Sequence, residues 1–179
     1  MKNITIKQYT NLPDTTLYDN ILEHLNPKNT FGGSQMNIGQ MPYANVKYCI
    51  RLLPKINTWN SIRQLFEICF DVPEAAFWKV RITEYFAAKK FMLAEFERII
   101  ATENKLLATQ NTDTHLWEMA GAEKLKPYSD TLPLLQLGKQ FSQYPFDLGR
   151  KPYSEIFNLL AQVKAQNEVE NEYQKLSRP

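Results

Sequence analysis

From Glu74 to Gln110 the chain contains neither glycine nor proline, and good helix formers dominate. Taken as one helix, this stretch spans about 37 residues, or roughly 55 Å at 1.5 Å per residue. That is far beyond the roughly three turns of a mean globular helix. Phe86, Leu93, Ile100 and Leu107 recur every seven residues, with Trp78, Ile82, Tyr85, Met92, Phe96, Ile99 and Leu106 beside them. The resulting apolar stripe is too wide for a two-stranded seam and suits a helix covered by several neighbours. The spacing predicts an all-α fold: a helical bundle organised around one long central helix at about 74–110, with Leu93 and Phe96 in its core.

The flanks read as shorter helices punctuated by proline. Asp14 can cap a helix over about 15–25, with Leu17, Tyr18, Ile21, Leu22 and Leu25 on one face and Pro27 ending it. Ile4-Thr5-Ile6 alternates and could add a short strand to a neighbour. Residues 26–41 hold Gly32, Gly33 and Gly39 in one long irregular segment, the kind that tends to be functional or mobile. Pro42 suits the first turn of a second helix (Val46, Cys49, Ile50, Leu53), and Thr58 caps a third through Phe70. Asp113 can cap a short helix carrying Leu116, Trp117, Ala120 and Leu125, and another begins near Pro133. A last helix runs from Pro152 to about Leu176; its second half is so polar that only a thin stripe (Val169, Tyr173, Leu176) is left to bury. That end is expected to project or to pack on a partner. At 179 residues the length suits a single helical domain over 1–179, with possible arms at 1–13 and 165–179.

One short pattern occurs twice. Ile38-Gly39-Gln40-Met41-Pro42-Tyr43 and Leu148-Gly149-Arg150-Lys151-Pro152-Tyr153 share the form aliphatic-Gly-x-x-Pro-Tyr, and Val46, Ile50 and Leu53 match Ile156, Leu160 and Val163 at the same offset. The shared unit is a helix start: glycine permits the turn, proline presets the first helical φ, and tyrosine can pack back on the aliphatic. Two independent helix entries and a duplicated unit flanking the long helix both account for it.

Chemistry is sparse. The histidines are His24 and His115, and neither has a second ligand at metal spacing. His24, at a helix end, reads as a cap or surface group. No zinc, calcium, phosphate-loop or nucleophile-elbow motif occurs, so no catalytic residue, metal ligand or cofactor is assigned. Cys49 and Cys69 sit in apolar runs and read as buried free thiols. Of the carboxylates, only Glu103 falls inside the apolar stripe, as Lys89 does earlier; a buried charge needs a partner, and a contact to another helix or subunit is expected for each. Lys79, Arg81, Lys89 and Lys90 interleave with Trp78, Tyr85 and Phe91 as in single-strand binders. Glu74, Glu84, Glu95 and Glu97 dilute that patch, and the formal net charge is only +2. Nucleic acid is therefore the lesser expectation. The chain starts without an apolar signal region and has no run of the ~18 apolar residues that a membrane span needs.

The segments Trp117-Glu118-Met119-Ala120-Gly121-Ala122-Glu123-Lys124-Leu125 and Leu148–Ile156, with the Asn-, Lys- and Gln-rich composition, resemble small helical proteins of tailed bacteriophages, above all the crAss-like phages. The resemblance implies a virion component near the portal and tail, or an assembly factor. The expectation is thus a non-enzymatic, multi-copy structural protein, made in the host cytoplasm and located in the virion. Its partners would be other copies of itself and other virion proteins. A tail-assembly chaperone absent from the mature particle, and a nucleic-acid-binding accessory protein, are the alternatives. Interface candidates are Phe31 and Tyr43 around the glycine segment, Lys89 and Glu103 in the stripe, and Val169, Tyr173 and Leu176 on the arm.

Overall fold

A computed structural model describes residues 4–107 and 118–177. Helices account for nearly all regular structure among them: α1 (Ile6–Thr10), α2 (Thr16–Leu22), α3 (Tyr43–Leu52), α4 (Trp59–Phe70), α5 (Glu74–Phe77), α6 (Ile82–Leu107), α7 (Leu132–Phe141), α8 (Pro145–Arg150) and α9 (Tyr153–Leu176). Short 3-10 turns lie at Ile38–Gln40, Leu53–Lys55 and Ala122–Tyr128. The all-α class and the long helix are as the periodicity predicts. Asp113, His115, Leu116 and Trp117 lie outside the described residues, as do positions 108–110 of the expected long helix. Where the length suggests one domain, the chain groups into two compact units: Met1–Ile38 with Tyr48–Ile100, and Gly39–Lys47 with Ala101–Pro179.

The first unit corrects the start of the long helix. α5 stops at Phe77 and α6 begins only at Ile82. Between them Arg81 forms an antiparallel bridge with Thr5, through Ile6 N–H donating to Val80 O (2.9 Å) and Ile82 N–H to Ile4 O (2.9 Å). The β-branched residues Val80, Ile82 and Ile6 are all buried there. The lack of glycine and proline permits a helix through 78–81; burial of branched side chains against an extended neighbour decides against it. Thr5 then caps α1 by accepting from Gln8 N–H, while the Gln8 side chain accepts from Thr5 N–H in a capping box. Residues 4–10 thus lie within the unit, with Ile6 fully buried and Tyr9 nearly so.

The glycine segment is also part of the core. Phe31 and Ser34 exchange backbone hydrogen bonds (2.9 and 3.0 Å), and the Asn29 side chain holds both N–H and C=O of Met36 at 2.9 Å. Gly32 has φ +59°, and a Cβ there would press on Val72 at 3.1 Å, so the tight turn needs glycine. Phe31, Met36 and Ile38 are buried. Phe31 meets Phe66, Phe70 and Phe77 at ring separations of 4.6–5.7 Å. α4 starts at the predicted Thr58 cap and ends at Asp71 in the left-handed region. The N-cap of α2 is Thr15, whose side chain makes no capping bond, and not Asp14 as expected; Asp14, one residue earlier, accepts from Thr16 N–H at 2.9 Å. Of that helix's predicted face only Leu22 is buried; Leu17 and Ile21 are exposed.

In the second unit α7 packs on α8 and α9. The α7–α8 turn folds back so closely that a Cβ at Gly138 would come 2.7 Å from the Gln143 carbonyl oxygen. α9 opens after Pro152, as predicted; Tyr153 and Ile156 are its buried residues, and every position from Ala165 to Ser177 is exposed.

Candidate functional site

The repeated Gly-x-x-Pro-Tyr pattern meets itself in the second unit. Pro42 and Pro152 form an antiparallel bridge. Tyr43 N–H donates to Lys151 O (2.9 Å), and Tyr153 N–H donates to Met41 O (2.8 Å). Positions 41, 42 and 43 correspond to 151, 152 and 153 in the repeat, so the two bonds are one contact made twice about a local two-fold. The tyrosine rings stack at 6.0 Å with 10° between planes. Ser154 Oγ donates to Gly39 O (2.9 Å), and in the matching place a Cβ on Gly149 would touch Ala44 at 3.6 Å. Val46 and its counterpart Ile156 are both fully buried.

Glu103 sits at this junction. Its Oε2 accepts from Lys47 Nζ at 2.6 Å and its Oε1 from the Tyr153 hydroxyl at 2.9 Å. The side chains of Lys47 and Glu103 are 18% and 13% exposed, so the pair is screened only partly by water. Lys47 Nζ also lies 5.6 Å from the centre of the Tyr43 ring. Burial, together with the negative charges of Glu103 and Asp130, holds the Tyr43 hydroxyl well above the usual phenol range. With both oxygens engaged, Glu103 fastens α6 to the middle of α3 at Lys47 and to the first residue of α9, Tyr153. Beside it opens a cleft of about 390 Å³ whose lining includes Lys47, Gln136, Val163, Lys164 and Asn171.

Of the seven interface candidates, three are satisfied inside the chain. Phe31 and Tyr43 are buried, and Glu103 finds its cation within its own unit, so none offers a free surface. For Glu103 the expected contact to another helix or subunit is made to other helices of the same chain, and Phe31 and Tyr43 are covered within the chain as well. Lys89 is half-buried with its ammonium 5.9 Å from the Phe86 ring. Val169, Tyr173 and Leu176 are 70%, 71% and 79% exposed. Lys47 and Tyr153 were not singled out in the sequence; the repeat, which aligns Tyr153 with Tyr43, was the signal for one of them.

The remaining polar groups are accounted for locally. His24 Nδ1 lies 2.7 Å from the Asn20 carbonyl oxygen, a helix-end contact. Cys49 and Cys69 are free and buried, and the hydrogen bond between them together with burial pushes the Cys69 thiol far up. Among the described residues no three His, Cys, Asp or Glu side chains gather as a metal site. Nor, among them, is any helix long and apolar enough to cross a membrane. In comparisons with known proteins, no family model, no curated protein and no solved structure matches the chain.

Proposed function

We propose that this chain is a non-enzymatic structural component of a tailed-phage particle, present in several copies and acting through contacts with itself and with other virion proteins near the portal and tail. The observation that carries the reading is the second half of α9. Val169, Tyr173 and Leu176 follow one another at intervals of four and three residues, which aligns them on one helix face. All three are more than two-thirds exposed on a stretch with no buried residue. Tertiary burial stabilises most protein helices, and past Lys164 every described residue of this one is exposed. A neighbouring subunit that accepts the stripe in a groove would supply it, and an aromatic such as Tyr173 suits the centre of such a contact. The phage setting rests on the resemblance of the two quoted segments and of the composition.

Peptide mass spectrometry of gradient-purified virions tests the proposal, with several copies per particle expected. Absence from the virion, with abundance in infected-cell lysate, overturns it in favour of a tail-assembly chaperone.

A further inference from the structure

We propose that the first unit carries a site for a nucleoside phosphate, in a cleft of about 440 Å³ lined by Lys7, Thr10, Asn11, Ala75, Trp78 and Lys79. Its volume lies within the range of small-ligand sites. Two segments far apart in sequence build it, and backbone bonds pin them together: Lys7 N–H to Trp78 O (3.2 Å) and Ile6 N–H to Val80 O (2.9 Å). The walls are therefore set before a ligand arrives, which lowers the cost of binding.

The chemistry follows from which charges are already used. Glu74 pairs with Arg63 at 3.5 Å, Glu84 accepts from Gly32 N–H at 2.8 Å, and Glu95 pairs with Arg98 at 2.8 Å. Lys90 is spent on the Glu23 and Leu25 carbonyls. Tyr85 is buried. Lys7 and Lys79, by contrast, are exposed and have no ion-pair partner among the described residues. Trp78 in the same cleft is half-buried, and its indole meets Phe77 edge-on at 5.1 Å and Trp59 at 6.3 Å, which holds the ring. A held indole in a cleft that two lysines without an ion-pair partner among the described residues also line, with Asn11 and Thr10 as hydrogen-bonding neighbours, matches a planar base attached to a phosphate. The ligand is either a free nucleotide or one unit of a single strand.

Fluorescence anisotropy of a labelled ten-residue oligothymidylate, and titration of thymidine monophosphate followed by tryptophan fluorescence, distinguish the two sources. The full chain is expected to bind at least one. Lys7→Glu/Lys79→Glu, both solvent-exposed, should weaken binding at least tenfold with the circular dichroism melt unchanged. For the strand, the slope of log K against log salt should become shallower by about 1.4, two phosphates at ~0.7 each. An abasic strand of equal length should bind about tenfold more weakly, as lost stacking requires. No binding of either ligand overturns the proposal. Equal loss in the charge-matched control Lys124→Glu/Lys139→Glu, or abasic binding as tight as that of oligothymidylate, also overturns it.

Discussion

Glu103, the carboxylate within the α6 stripe, is expected to meet another helix or subunit, and it meets two other helices of its own chain, through Lys47 and Tyr153. Removing one member of such a pair strands the other, whereas removing both does not. Glu103→Leu is expected to lower stability by about 1–3 kcal/mol. Adding Lys47→Met should restore part of it, a coupling that urea melts of the two single variants and the double variant would measure. Additive losses would place the pair's contribution near zero. Tyr9 offers a second test. Burial first, and then the hydrogen bond it donates to Asp19, raise its pKa from 10 to about 12. The fold favours the protonated phenol, so this contribution is complete below pH 10 and disappears as pH rises through 12. Between pH 9 and 12 the wild-type chain should lose more stability than Tyr9→Phe, measured by denaturant melts along that series.

Among the elements, α6 shows both the strength and the limit of a periodic stripe. Phe96, Met92 and Ile99 are buried, while Leu93 is only half-buried and Leu106 is 44% exposed. Phe96→Ala is therefore expected to cost about 3–5 kcal/mol, and Leu93→Ala about 1–2, since a half-exposed site leaves less of a cavity. Equal losses at both positions in chemical denaturation would contradict the burial difference. The helix starts at Ile82 because Val80 and Ile82 bury their branched side chains beside Ile4 and Ile6, an interaction across more than seventy residues that no local window contains.

At the scale of the whole molecule, each compact unit has its own buried set: the aromatic cluster around Phe31 and Phe66 in one, and Tyr43, Val46, Tyr153 and Ile156 in the other. The last turns of α9 contribute to neither set. Deleting residues 165–179 should leave the thermal midpoint within about 2 °C, the shift expected of a change below ~0.5 kcal/mol in a chain of this size. On the proposed function, incorporation into particles should fall. A deletion that unfolds the body would show that the arm stabilises it. Pairing of the repeated Gly-x-x-Pro-Tyr unit with itself gives the duplication reading a structural counterpart: equivalent backbone groups are bonded to each other, an arrangement that two unrelated helix entries do not require.

What the sequence determined by itself was local or periodic in origin. Helix content follows from propensity and apolar spacing; the starts at Thr58 and after Pro152 follow from capping and fixed φ; the polar end of α9 follows from having too few apolar residues to bury. The tertiary structure decided which partners those residues meet. Whether Glu103 faces a lysine or a neighbouring subunit, whether Phe31 is surface or core, and whether Lys7 stands beside Trp78 all depend on contacts between residues fifty or more positions apart, or on a packed cluster assembled from several helices. Burial energy belongs to the assembled neighbourhood and not to the segment, so the pattern can say that a side chain needs cover but not what provides it.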